Sequence, residues 1–369
     1  MSNEPYVSRQ KRTAKGVVIA VCVVAVIAAV VALLATIERR RETAPAEAGT
    51  AASRAVADDA EEYARQLEIL GFDEAEIAPV EEDDEPALML YYNGQPYEFN
   101  PALSVLLITG VDDYAITEER AYRTQSQSDL LLVAVFDSDS ETCRILQLNR
   151  DTMVNDPVLS TSDRLLGLTT EQLAFASTYG STPQSSAENT VYAVSSLLYG
   201  TPIDNYFVFT MEAIAPLNDL VGGVTVDIVD DFSGEDDTLV MGETVTLLGE
   251  HAEKYVRARY RMADDPSNIA RMQRQSDYIL KLVDKYTEAV REDSGFLLTA
   301  YDEIADCLVT DCSVDDLLAY GERFSNYELT EIVTPEGEAV KGEKYIEFYV
   351  DEQALQQLVL DWFYIPVND

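Results

Sequence analysis

The sequence predicts an α/β fold, one sheet covered by helices, standing behind a membrane-spanning helix. Three observations predict it. An uncharged run, GVVIAVCVVAVIAAVVALLATI, fills residues 16–37 and is long enough to cross a hydrocarbon core of about 30 Å as a helix. From residue 104 onward, strand-like apolar runs alternate with stretches of helical period, the pattern of a sheet with helical layers rather than of two β layers. The composition, 47% hydrophobic and 25% charged over 369 residues, is that of a globular chain able to bury one large core or two smaller ones.

Each element follows in order. Residues 1–15 form a short tail, and Arg9, Lys11, Arg12 and Lys15 precede the span while Arg39, Arg40 and Arg41 follow it. The slight basic excess before the span favours a cytoplasmic N-terminus. The apolar run passes straight into ERRRE with no small-residue cleavage site, so the segment reads as an uncleaved anchor with the rest of the chain outside. Residues 38–86 are an acidic linker: a flexible ETAPAEAGTAAS, then a helix over 52–70 with Val56, Tyr63, Leu67 and Leu70 on one side, then the boundary EEDDEP. In ALMLYYNGQPYEFN, Asn93-Gly94 stands between two strand-like runs, which predicts a β-hairpin with a type I′ turn.

The main domain, 87–291, continues with SVLLITGVDD as a buried strand and SDLLLVAVFDSDSETCRILQLNRD as two strands joined by a polar turn. Helical patterns cover 169–178 and 185–198, and NYFVFT is a strand. MEAIAPLNDLVGG is a helix with a glycine stop, VTVDIV a strand, LLGEHAEKYVRA a helix, and 266–291 a long helix. Residues 292–369 form a helix–strand–helix extension: a helical stretch, the acidic loop TPEGEAVKGEK, the strand YIEFYV and a closing helix from Asp351.

The charge balance is extreme: 26 Lys and Arg against 67 Asp and Glu, a formal net charge of -41. Such a field disfavours broad binding to nucleic acid, so any bound anion needs a local basic pocket. The cysteines say less. Cys22 lies in the span, Cys143 sits in an apolar run where a small buried thiol is expected, and Cys307 and Cys312 are close enough to pair if the segment turns. With no CxxC pair and one histidine, His251, nothing points to zinc.

The residues able to do chemistry cluster in three places. Asp112 and Asp113 follow a buried strand just after Gly110, and Asp129 opens the next strand. Carboxylates at strand ends face the ligand crevice of α/β folds; they hold Mg²⁺ with water and phosphate oxygens, or serve only as turn and cap residues. In LNRDT, Arg150 leaves an apolar strand, where it meets an anion or pairs with Asp151. The third place is YVRARYRMADDPSNIARMQRQ, with Arg257, Arg259, Arg261, Arg271 and Arg274. If YVRARYR is extended, Arg257, Arg259 and Arg261 share a face; if the next segment is helical, Arg271, Arg274 and Gln275 share a side. A surface web of salt bridges and a clamp for a pyrophosphate with its Mg²⁺ are both consistent with that spacing.

Together these motifs resemble the LytR-CpsA-Psr phosphotransferases of cell envelopes. LLITGVDD is similar to that family's G-x-D strand end, SQSDLLLV to its R-S-D-T strand, and LNRDT to I-P-R-D-T. GTPIDNYFVFTMEAIAPLNDLVGGVTVDI resembles the central block ending in D-x-L-G-G-V, and YVRARYR with RMQRQ resembles the closing Y-V-R-x-R and R-x-x-R-Q pair. The five occur in order over about 103–283.

The resemblance implies a central mixed sheet covered by helices on both faces. It implies an extracellular enzyme held by one transmembrane helix, which moves a glycopolymer from a polyprenyl-pyrophosphate lipid onto peptidoglycan and releases polyprenyl phosphate. By motif, Asp112 and Asp129 would hold Mg²⁺ or Mn²⁺, with Asp112 also aiding deprotonation. Arg150, Arg257, Arg259 and Arg271 would grip the pyrophosphate, with Arg150 and Arg259 serving catalysis, and Gln275 would donate hydrogen bonds. Arg261 and Arg274 would be secondary.

The chain departs from the family pattern in having Gln127 for the usual arginine, Gln172 for a lysine and Asn149 for a proline, with Arg123 and Arg164 near enough in sequence to compensate. Those departures keep two other readings open, a non-catalytic lipid- or glycan-binding module and a polyprenyl-pyrophosphate phosphatase.

Overall fold

The computed structural model describes residues 89–112, 127–258, 268–293, 296–313, 316, 320, 323, 327–342 and 345–367. The predicted membrane span at 16–37 and the linker helix at 52–70 lie outside them, and no helix among the described residues is long and apolar enough to cross a membrane. The described residues form two compact units, 102–359 and 89–101 with 360–367.

In the smaller unit, β1 (Met89–Tyr92) and β2 (Gln95–Phe99) make the predicted hairpin. Asn93 and Gly94 have φ of 53° and 78°, the left-handed pair that a type I′ turn requires.

The larger unit is built on β3 (Leu103–Val111), β4 (Ser128–Asp137) and β5 (Thr142–Gln147), an antiparallel meander. A hairpin of β6 (Met153–Leu159) and β7 (Leu165–Gln172) follows. Residues 169–178, predicted to be helical, are thus divided. Thr169 and Thr170 pair with Asp156 and Asn155 across the hairpin, where β-branched side chains suit a pleated surface, and a 3-10 helix, Leu173–Thr178, begins only afterwards.

Helix α1 (Pro183–Leu197) starts from a capping box in which Thr182 and Ser185 satisfy each other's backbone N–H. Next come β8 (Asn205–Thr210), α2 (Ile214–Leu220), β9 (Val224–Asp227), β10 (Thr244–Leu247) and α3 (Glu250–Arg257). Tyr255, Val256 and Arg257 belong to a helix, as expected for LLGEHAEKYVRA, and the apolar face of Ala252, Tyr255 and Val256 has a core to fill. Helix α4 (Ile269–Glu292) is the long helix expected at 266–291. After it come α5 (Phe296–Ile304), β11 (Leu308–Thr310), β12 (Glu328–Val333), β13 (Gly337–Lys341) and β14 (Ile346–Val350). Much of the TPEGEAVKGEK stretch, predicted as a loop, is β13, paired in register with β14. Helix α6 (Glu352–Phe363) and β15 (Tyr364–Pro366) close the chain, β15 pairing with β2.

The central sheet has the order β11-β8-β3-β4-β5-β12 and is mixed: β8 runs parallel to β3, β12 parallel to β5, and the remaining pairs are antiparallel. Strands after residue 291 thus supply both edges. One face, Leu106, Ile108, Leu132, Ala134, Phe136 and Ile145, packs against Ile279 of α4, while α1 and the 3-10 helix lie against β8, β11 and β4. Every residue of β3 is buried, as expected for a strand covered on both faces. Cys143 is a buried thiol, and Cys307 and Cys312 are free thiols, not a disulfide. The topology brings the carboxyl ends of β3, β5, β8 and β12 to the same end of the sheet as the start of β4.

Between α2 and β9 the chain turns on Gly222-Gly223. Gly223 has φ 82°, and a Cβ there would lie 2.3 Å from the Leu247 carbonyl oxygen; Gly242 has φ 90° but faces open space. Gly242→Ala is expected to cost about 1 kcal/mol, the left-handed strain of a residue with a Cβ, and Gly223→Ala clearly more, since backbone must also shift. Chemical denaturation of the two variants checks the order; equal losses would mean that the close approach is unimportant.

Candidate active site

At that shared sheet end, side chains far apart in sequence meet. Asp129, second in β4, has a side chain 8% exposed, and its Oδ1 accepts hydrogen bonds from Nη1 of both Arg150 and Arg271, the latter at 2.8 Å. Arg150 stands in the tight turn after β5, where Asn149 Oδ1 accepts the Asp151 N–H and the Asn149 carbonyl accepts the Thr152 N–H. Arg271 enters from the first turn of α4.

Asp112 follows β3, half-buried, and Arg257 at the end of α3 donates Nη2 to it at 2.9 Å and Nη1 to Glu253 at 2.6 Å. Burial first, then the negative charge of Asp129 and a hydrogen bond between the two carboxyls, raise the Asp112 carboxyl above the ordinary aspartate range. Gln275 is buried one turn along α4 from Arg271 and donates to the Val256 carbonyl at 3.3 Å.

The structure therefore gathers Asp112, Asp129, Arg150, Arg257, Arg271 and Gln275 at one place. Arg259 and Arg261, with Asp113 and Arg123, lie outside the described residues. Arg274 holds the fold together instead. It is buried, donates Nε to the Tyr255 carbonyl at 2.6 Å, pairs with Asp230 at 2.8 Å, and lies over the Phe232 and Tyr255 rings.

The two glutamines that depart from the family pattern both touch the cluster. Gln127 Oε1 accepts from Arg150 Nη2, and Gln172 Nε2 donates to Asp151 at 3.0 Å and to the Ile346 carbonyl at 2.6 Å. Arg164 is exposed in the turn between β6 and β7.

Arginine carries five N–H donors in a fixed fork, more than Asp129 takes up. Arg150 Nε is buried with no hydrogen-bond acceptor, Asp151 lying 3.8 Å away. A planar, always-charged fork in a dry pocket suits phosphate oxygens. The adjoining carboxyls of Asp112 and Asp129 are a hard oxygen pair of the kind Mg²⁺ takes alongside water and substrate phosphates, so the donor chemistry fits that ion; among the described residues no three or more Asp, Glu, His or Cys side chains are placed so as to hold one metal ion by themselves.

Beside the cluster, between the sheet and α4, lies a cavity of about 190 Å³ walled by Leu132, Phe207, Phe209, Leu217, Ile279 and Leu282. Gln275 and Thr210 also line it, and Gln275 Oε1 and Thr210 Oγ1 are buried without hydrogen-bond partners. Thr210 escaped the sequence reading. Its signal is a hydroxyl ending the apolar strand NYFVFT at the carboxyl end, the same strand-exit position that singles out Asp112.

The LytR_cpsA_psr family model matches residues 80–360. The chain is 28% identical over 192 residues to the polyisoprenyl-teichoic acid--peptidoglycan teichoic acid transferase TagV of Bacillus subtilis, covering 50% of this chain and 44% of that protein. It is 29% identical over 217 residues to the polyisoprenyl-teichoic acid--peptidoglycan teichoic acid transferase TagU of Enterococcus faecalis, covering 58% and 63%. The match thus spans less than two thirds of either relative. The crystal structure of B. subtilis TagV shares the fold, with a TM-score of 0.54 at 21% identity over 71% of this chain and 97% of that one.

Two stability measurements follow. Replacing the buried, unpartnered Thr210 hydroxyl with a methyl of the same shape, Thr210→Val, is expected to raise the unfolding free energy of the ligand-free protein by about 1 kcal/mol; a loss would mean that the hydroxyl is satisfied. For Asp112, a raised folded-state pKa means that stability is full below the unfolded pKa, about 3.9, and falls as pH rises through the folded value. In chelator, Asp112→Asn should therefore melt higher than the parent at pH 7 and level with it below about pH 4; a variant that melts lower at pH 7 would remove the carboxyl repulsion from the account.

Proposed function

Because the chain belongs to the LytR-CpsA-Psr family, matched over residues 80–360, we propose that it is a membrane-anchored phosphotransferase. It takes a glycopolymer from a polyprenyl-pyrophosphate carrier and joins it to peptidoglycan, releasing polyprenyl phosphate. The uncharged run at 16–37 anchors it, with the N-terminus cytoplasmic and the domain at the outer face, where such a lipid presents its head group. The observation that carries the reading is the buried Arg150–Asp129–Arg271 group directly beside an apolar cavity: a doubly phosphorylated head and a hydrocarbon tail call for those two environments side by side.

In this reading the lipid's first isoprene units enter the cavity between β8 and α4. Arg150, Arg271 and Arg257, joined by Arg259, neutralise the pyrophosphate oxygens, and the amide of Gln275 and the hydroxyl of Thr210 meet the head at the cavity mouth. The acceptor hydroxyl oxygen attacks the phosphorus that carries the glycan. The bond from that phosphorus to the bridging oxygen breaks, its electron pair leaves on polyprenyl phosphate, and the hydroxyl proton passes to Asp112. Asp112 and Asp129 are the residues that would hold Mg²⁺ or Mn²⁺, which when bound would neutralise further phosphate charge. Phosphoryl transfer asks for alignment and charge neutralisation above all, and fixed guanidiniums supply both.

Gln127 and Gln172 favour a second reading, a module that binds the lipid or glycan without reacting, because amides stand on Arg150 and Asp151 where the family has cations. Purified full-length protein, a polyprenyl-pyrophosphate glycan, Mg²⁺ and peptidoglycan strands separate the readings. Transfer predicts release of polyprenyl phosphate with the glycan on the strands, reduced about 100-fold or more in Asp129→Ala and Arg150→Ala. Lipid binding with no release would establish the binding module, and release of glycan phosphate to water alone a phosphatase.

A further inference from the structure

Helix α4 has a second cavity on its other side, about 540 Å³ against about 190 Å³ for the apolar one. It lies between α4, the edge strand β12, the turn that follows it, and β14. Its floor is polar and fully wired: Ser276 Oγ donates to Gln147 Oε1 at 2.6 Å, and Gln147 Nε2 donates to the Met272 carbonyl at 3.2 Å. Four carboxylates line it, Glu331, Glu336, Glu338 and Asp351, and no basic side chain among the described residues does. On its wall stands Tyr349, 49% exposed.

Volume, charge and chemistry together narrow the occupant. The size suits a ligand of two or three rings. Carboxylates accept hydrogen bonds from hydroxyls, amides and ammonium groups, and an exposed aromatic face gives a sugar ring an apolar surface to lie on. A chain of phosphates is repelled: screening acts over about 8 Å at physiological ionic strength, too long to hide four carboxylates within one cavity from a polyanion. The cavity is also tied to the reaction centre. Gln147 in its floor precedes Arg150 by three residues, Met272 follows Arg271, and the N–H of Phe348, in its β14 wall, donates to the Asp151 carbonyl at 2.8 Å.

We propose that this cavity holds the acceptor, an uncharged or amine-bearing stretch of peptidoglycan strand, and excludes the phosphate-rich donor polymer. The inference rests on the transferase reading and adds to it a division of labour across α4: lipid tail on one side, acceptor sugar on the other, phosphate between them. The acceptor hydroxyl then approaches the head group from the β5 side, opposite the hydrocarbon.

The test uses full-length protein with three probes: soluble uncrosslinked peptidoglycan strands, polyprenyl pyrophosphate in micelles, and a lipid-free teichoic acid chain. Tyr349→Ala and Glu338→Lys, both at exposed positions, are expected to weaken strand binding about tenfold, the loss of about 1.4 kcal/mol, with lipid binding unchanged; Tyr349→Phe keeps strand binding. In the transfer assay the same pair raises the KM for strands and not for lipid. The proposal fails if the variants bind strands as the parent does, or if the parent binds the lipid-free teichoic chain and the variants lose it. Failure of the parent to bind the lipid would instead sink the donor side of the transferase reading and leave the strand result standing.

Discussion

Asp129 is 7% exposed, and its Oδ1 accepts from two guanidiniums that come from the turn after β5 and from α4. A carboxylate moved out of water loses several kcal/mol of solvation, which returns only if its partners are close and well aimed. Two buried arginines are under the same constraint. Each of the three groups is tolerable only because the other two are present, so β4, the LNRDT turn and α4 are fixed relative to one another by a charge requirement as much as by packing. Removing one partner from such a group costs about 3–5 kcal/mol, more than most single core contacts.

That arrangement is stable without being relaxed. Asp112 sits against Asp129 with its carboxyl raised by burial and by its neighbour's charge, Arg150 Nε lacks an acceptor, and two polar oxygens at the cavity mouth lack partners. The helix start at Thr182 and Ser185, by contrast, satisfies its own backbone N–H groups in a reciprocal capping box. Unmet donors, acceptors and like charges in one place suit a ligand, because an anion between the arginines, or a cation between the carboxyls, would relieve several of them together.

Much of this was legible in the residues because the relevant signals are local. The buried strands are near-continuous apolar runs, Asn93-Gly94 dictates its turn, and Asp112, Asp129 and Arg150 are polar residues at the exits of strands that have no other use for them. The failures share a cause. Residues 169–178 carry a plausible helical period, yet strand partners twelve or more residues away decide the conformation of 169–172, and β13 forms because β14 is there to pair with it. Arg274 looks equivalent to Arg271 in sequence and is not, since three positions along a helix turn a side chain from Asp129 to Asp230 and two backbone carbonyls. Long-range pairing and helix phase are what one chain read alone conveys least.

Helix phase also explains how one segment serves three environments. At about 100° per residue, Arg271, Gln275, Tyr278 and Leu282 fall on one stripe of α4 while Ile269, Met272, Ser276 and Leu280 fall on another about a third of a turn away; Gln275, Tyr278 and Leu282 of the first line the apolar cavity, and the second lines the acidic one. Arg271 heads the first stripe, so in the proposed reading the helix that separates tail from acceptor also sets the phosphate position. A net charge of -41 then ceases to conflict with an anionic ligand. Exposed carboxylates act through water and salt and fade over about 8–10 Å, whereas guanidiniums 3% and 4% exposed act on a bound phosphate through low-dielectric surroundings where each charge is worth far more. In the proposed reading the acidic surface governs what approaches the domain and the buried arginines govern what stays.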